Sequence, residues 1–170
     1  LRYPECNVSA RAVPYYCSFT RLITMWIHIS ITNQQAIIYQ NDDPIATFPV
    51  CTAKNGPGEQ MGSECTPRGW HRIRAKIGDG QPINTVFVGR RPTGEIYDQS
   101  LHDTHPGRDW ILTRILWLCG DEPGKNRGGN VDTMRRYIYF HGSPEARFAG
   151  PPSSRGCICM RNDDMIKLFD

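Results

Sequence analysis

The apolar runs of this chain are cut apart by 16 glycines and 13 prolines, which points to a loop-rich, β-dominated fold in which many turns separate short strands. In "LITMWIHIS", Ile23, Met25, Ile27 and Ile29 fall on one strand face, and Thr24, Trp26, His28 and Ser30 on the other. "TNQQ" then supplies turn residues, "AIIYQ" returns to β propensity, "NDDP" turns the chain again and "IATFPVCTA" makes a third strand. Three strands so closely spaced predict an antiparallel meander. "WHRIRAKI" and "TVFVGR" read as further strands. "WILTRILWLC" is long enough for a helix, but its β-branched and aromatic residues, with the glycine-rich "CGDEPGKNRGGN" after it, favour a strand. The final "NDDMIKLFD" reads as a helix, with Asn162 as its cap, Asp163 and Asp164 at the positive end, and Met165, Ile166, Leu168 and Phe169 as an apolar side. The expectation is a mainly β, mixed, sandwich-like domain with short helices, including one near the C-terminus.

A chain of 170 residues can bury one full core without covalent or metal staples. Residues 1–20 hold two prolines and no period, so they read as an irregular leader, and residues 21–170 as one domain. No run approaches the roughly 18 apolar residues of a membrane span, and no charged and apolar export signal opens the chain. Its 20 basic and 17 acidic residues are dispersed, which excludes a nucleic-acid stripe and a polybasic membrane patch. The seven cysteines are odd in number and show no CxxC pair, against a structural zinc or thioredoxin-like use, while their spacing is compatible with a Cys6–Cys17 or Cys51–Cys65 disulfide. The long "KNGPGEQMGSECTPRG" loop is of a kind that borders a site.

Chemistry concentrates in "YIYFHGSPEARFAGPPSSRGCICM", residues 137–160. A strand "YIYF" delivers His141 at its carboxyl end, and Gly142 after it admits a backbone conformation closed to other residues. Residues 143–153 carry three prolines and can loop out and return to the same sheet. Cys157 then follows Gly156, whose amide, with that of Cys157, could face a substrate carbonyl as an oxyanion hole. His141 is the residue type to take a thiol proton near neutrality, and the permanent charge of Arg155 favours a thiolate. The alternatives are a structural pair and a metal site of His141, Cys157 and Cys159, which lacks a fourth ligand. Cys159 reads as buried and inert, on the opposite strand face from Cys157. Cys51 and Cys65 read as core or disulfide residues, His71 as structural or surface, and His102 and His105 as a solvated loop. Arg108, Trp110 and Arg114 are candidates for lining a groove, with Trp110 and Trp117 equally suited to the core.

These residues resemble the L,D-transpeptidases with a YkuD-type catalytic domain, whose signature runs from a strand-end "HG" through a short loop to "S-H-G-C" and an apolar residue. His141 and Gly142 match the first part, and Ser154, Gly156 and Cys157 the second; "MRN" at 160–162 resembles the branch typical of Gram-negative bacteria. Similarity extends through "QQAIIYQ", "FPVCTAKNGPGE", "TPRGWHRI" and "GRDWILTRILWL". The resemblance implies a monomeric enzyme of the bacterial envelope, periplasmic, acting on peptidoglycan stem peptides with no metal or organic cofactor. By it, Cys157 attacks the diaminopimelate carbonyl of a tetrapeptide donor, releases D-alanine and holds a thioester. An acceptor amine of another stem, or of a lipoprotein lysine, resolves it. His141 is the base, the Gly142 carbonyl orients its ring, and Gly156, Arg155 and Ser154 serve the oxyanion and substrate. Two positions depart: Arg155 stands where the family has His, and Cys159 where it commonly has Arg.

Overall fold

The computed structural model describes the backbone of residues 7–11 and residues 23–170. Ten strands follow in chain order: β1 (Asn7–Arg11), β2 (Met25–Ser30), β3 (Gln35–Gln40), β4 (Asp43–Cys51), β5 (Gly69–Ile77), β6 (Thr85–Val88), β7 (Arg91–Ile96), β8 (Ile111–Gly120), β9 (Tyr139–Ser143) and β10 (Ile158–Arg161). Helix α1 (Gln99–Thr104) precedes β8, and α2 (Asn162–Phe169) ends the described chain. The fold is mainly β, as the alternating pattern predicts, and β2, β3 and β4 form the expected antiparallel meander. "WILTRILWLC" is a strand. Two elements differ from the sequence reading. Asn7–Arg11, expected to be irregular, pairs with both β2 and β5, and "LHDTHPG", expected to be a loop, begins in α1, capped by the Asp98 carboxylate on the Leu101 amide.

The strands form one mixed sheet in the order β5-β1-β2-β3-β4-β10-β9-β8-β6-β7, and β5 also pairs with β8. Eight strands therefore run in a closed ring, and the β6–β7 hairpin extends from β8. Most pairs are antiparallel; β1 with β5 and β9 with β10 are parallel. Closure is assisted by a bulge in β8 at Thr113, a β-branched residue held at φ 68°. Its hydroxyl donates to Asn162 Oδ1 at 2.6 Å and accepts the Asn84 amide at 3.0 Å, holding the strained backbone in place.

The main core collects one face of the ring: Ile27 and Ile29 of β2, Ala36 and Ile38 of β3, Val50 of β4, Leu116 and Leu118 of β8, Phe140 of β9, and Ile158 and Met160 of β10. Met165 and Phe169 of α2 close it, while Ile23 stays exposed ahead of β2. Asp163 and Asp164 lie in the first turn of α2 as expected, but Asn162 does not cap it: Arg161 takes that position, and the Asn162 side chain bonds Thr113 instead. On the other side of β8 and β9, Phe87, Ile115 and Tyr139 form a second cluster, and Val86, Trp110 and Leu112 a third.

His71 is wholly buried in β5, with Nδ1 2.9 Å from the Gly69 carbonyl and Nε2 2.9 Å from Thr133 Oγ1. Burial disfavours its charged form and lowers its pKa from 6.5 to about 4. The unfolded chain therefore binds the proton more readily than the native one between those values, so stability falls as pH drops through that window. Denaturant titrations from pH 7 to pH 4 should lose on the order of 3 kcal/mol to this residue, and His71→Gln should flatten that part of the profile.

Candidate active site

Strands β9 and β10 set Ile158 beside Phe140, Cys159 beside His141, Met160 beside Gly142 and Arg161 beside Ser143. Because side chains alternate along a strand, Phe140, Ile158 and Met160 enter the core while Tyr139, His141 and Cys159 face the other side. The loop after β9 returns to the same sheet, as its prolines suggested, through a 3-10 turn at Glu145–Phe148. His141 lies within β9 rather than beyond its end. Cys157 and Cys159, read as pointing apart, line one cleft of about 390 Å3 together with His141, Ser154, Arg155 and Tyr139. Positions two apart share a face, which corrects that reading.

His141 is buried at 2% exposure. Its Nδ1 lies 2.8 Å from the Gly142 carbonyl, and since a carbonyl only accepts, Nδ1 carries the proton in the neutral ring. Nε2 then offers a lone pair on the cleft side, where Cys159 Sγ lies 3.6 Å away. Burial is the largest influence on this imidazole and opposes its charging. The nearby Cys157 side chain, above all as a thiolate, and the Gly142 carbonyl together outweigh burial and raise its pKa above 6.5. The two thiols differ in environment. Cys157 is half-buried, with Sγ 3.5 Å from the Tyr137 carbonyl. Cys159 is fully buried, and burial pushes its pKa up to about 11.

The turn carrying Cys157 is fixed from below. Ser154 Oγ donates to the Cys157 carbonyl at 2.6 Å and accepts the Gly156 amide at 3.2 Å. Thr66, buried in the long loop, donates to the Gly156 carbonyl and accepts the Ala53 amide, each at 3.0 Å. The 52–68 loop thus borders the site, as its composition implied, and Arg136 ties it down through the Gly58 and Cys65 carbonyls. Gly156 has φ 120°, and a Cβ there would meet Ile138 Cδ1 at 2.8 Å. Gly142 differs from expectation: its backbone is an ordinary strand, and glycine is needed because a Cβ would press on the Leu112 carbonyl at 2.8 Å and on the Asn162 side chain.

Arg155 is exposed at the cleft and has no ion-pair partner among the described residues. Arg108 pairs with Glu95, Arg114 donates to the Gln81 and Thr113 carbonyls, and Trp110 is core; none of the three lines the cleft. Cys51 and Cys65 are free thiols, so they do not form a disulfide; Cys51 instead sits 3.4 Å from Ser153 Oγ. The Cys6–Cys17 pairing lies outside the described residues. His102 contacts Tyr97 Oη from α1 at 3.3 Å, and His105 caps that helix. Sequence reasoning missed Arg90, Asp109, Tyr137 and Tyr139, which complete the cleft; the alternation of "YIYFH" carried the signal for both tyrosines.

Alkylation separates the two thiols. Trypsin cuts after Arg155 and Arg161, so one peptide carries both cysteines. Iodoacetamide at neutral pH should modify Cys157 and leave Cys159 unmodified in the folded protein, and modify both in denaturant, read by tandem mass spectrometry. Gly156→Ala should cost about 2 kcal/mol or more in chemical denaturation, from strained φ and contact with Ile138.

No curated protein matches the chain. The family model for the YkuD domain, an L,D-transpeptidase catalytic domain, matches residues 24–170, which include the whole β2–α2 body and every cleft residue named above. With that match over most of its length, the chain belongs to the YkuD family of L,D-transpeptidase catalytic domains.

Proposed function

We propose that this domain is a peptidoglycan L,D-transpeptidase of the bacterial cell envelope, acting in the periplasm, with Cys157 as nucleophile and His141 as its proton acceptor and donor. The observation that carries the reading is the contrast between the two thiols beside His141: Cys157 is open to the cleft, whereas Cys159 is buried and protonated at neutral pH. The Cys157 thiolate attacks the diaminopimelate carbonyl of a tetrapeptide donor, forming a carbon–sulfur bond. His141 holds the thiol proton and gives it to the departing D-alanine amine as the carbon–nitrogen bond breaks. An acceptor amine then attacks the thioester, surrenders its proton to His141 and expels Cys157. The acceptor is another stem peptide or a lipoprotein lysine. A raised imidazole pKa suits the donation, because it keeps imidazolium available near neutrality.

The Gly142 carbonyl fixes the tautomer. Ser154 holds both the Cys157 carbonyl and the Gly156 amide, so its role is to shape the turn that carries the nucleophile. Ser154 already engages the Gly156 amide, so the Cys157 amide is the donor left to meet a developing oxyanion. Arg155 adds positive charge at the cleft mouth. A second reading, a non-catalytic binding module or one that passes the acyl group to water, is favoured by one contact: Cys159 Sγ approaches the same Nε2 on which Cys157 depends.

Purified tetrapeptide muropeptides separate the readings. Transpeptidation yields cross-linked product with release of D-alanine, hydrolysis yields tripeptide alone, and a binding module yields neither. Cys157→Ala should abolish both the acyl-enzyme and a carbapenem adduct seen by intact mass, and His141→Ala should slow acylation by about 10²- to 10⁴-fold. Cys159→Ser, which keeps the side-chain volume and removes the second thiol beside His141, should not abolish acylation. In the free enzyme the His141 imidazole, followed by NMR titration, should have its midpoint above pH 6.5, and Cys157→Ala, which removes the neighbouring thiol and leaves burial, should lower it.

A further inference from the structure

Strands β6 and β7 are joined by two residues, Gly89 and Arg90, with φ of 56° and 66°. Positive φ at both central positions is the pattern of a type I′ turn, in which the second place favours glycine. An arginine there costs backbone energy that glycine would not. Its side chain is held in place without being neutralised. The guanidinium lies 4.8 Å from the ring centroids of both Trp117 and Tyr137 and donates to Tyr139 Oη at 3.1 Å. No carboxylate pairs with it among the described residues. Among the described residues one of its five N–H donors is engaged, and the residue lines the cleft that holds Cys157 and His141. The one carboxylate in that lining, Asp109, is tied to Arg147 at 3.2 Å. Arg155 adds a second unpaired cation, so the cleft presents net positive charge to whatever enters it.

We infer that Arg90 is a specificity-determining residue that grips a free carboxylate of the peptide bound at Cys157; this rests on the peptide substrate class proposed above. A planar fork pre-set by aromatic stacking is suited to a carboxylate and engages it with two parallel hydrogen bonds. Two carboxylates of a tetrapeptide donor qualify: that of the departing terminal residue, and that on the side chain of the diamino acid.

The test uses Cys157→Ala protein as a non-reacting binder, with and without Arg90→Gly, and calorimetric titration of three tetrapeptides. One is unmodified, one has the terminal carboxylate as an amide, and one has the diamino-acid carboxylate as an amide. Arg90→Gly relaxes the turn, so thermal stability should hold or rise while affinity for the unmodified peptide falls roughly 10- to 100-fold. One of the two amides should lose affinity by a similar factor in the Arg90 protein and lose nothing further in Arg90→Gly, which identifies the carboxylate. Unchanged affinity in Arg90→Gly, amidation penalties that do not depend on Arg90, or no binding of the unmodified peptide would each overturn the inference. Acylation of the Cys157 protein is followed in parallel by intact mass. Full-rate acylation in Arg90→Gly overturns the carboxylate grip and leaves the transpeptidase reading standing. Arg90-dependent binding without any acylation does the reverse.

Discussion

The parallel pairing of β9 with β10 is the constraint on which the rest of the molecule depends. It places Phe140, Ile158 and Met160 in the main core and, in alternate positions, His141 and Cys159 at the cleft, with Cys157 just ahead of β10. A slip of one residue between these strands would put imidazole among leucines and phenylalanine against solvent. Removing the Phe140 ring, which is fully buried, would cost about 3–5 kcal/mol and would loosen the same strand that aims His141. Cleft geometry and core packing are thus two readings of a single register.

Around that register the protein uses small residues where chains come close and polar ones where a backbone needs holding. Gly142 lets β8 and α2 approach β9, and Asn162 joins all three by bonding Thr113 and the Ser143 carbonyl. Ser154 and Thr66 supply the partners of a turn whose glycine sits in a conformation few residues tolerate. The positive φ at Thr113 is tolerated because its hydroxyl has a partner on each side.

Much of this was legible in the sequence. Period-two patterning marked β2, β propensity between turn residues marked β3 and β4, β-branched and aromatic content marked β8, and the "HG" and "SRGC" segments marked the site, because these signals are local and follow from side-chain direction and turn chemistry. What escaped depends on partners far along the chain. Asn162 has the composition of a cap but is drawn to Thr113, 49 positions away, and Gly142 is required by a neighbour rather than by its own φ. Asn7–Arg11 has weak β propensity and becomes a strand because β2 and β5 present open edges on both sides of it. Arg90 sits in an ordinary-looking hairpin turn, and only the folded sheet brings Trp117, Tyr137 and Tyr139 around it.

That first strand has a consequence of its own. It runs antiparallel to β2 yet parallel to β5, with Val8 beside Gly69, so its contacts join parts of the chain about 60 positions apart. Such a contact carries a large loop-closure cost and belongs among the late events of folding. Until it forms, β2 and β5 each expose a row of unpaired amides and carbonyls, the kind of edge on which another chain can add a strand. The strand that closes the ring therefore also keeps the protein from pairing with its neighbours.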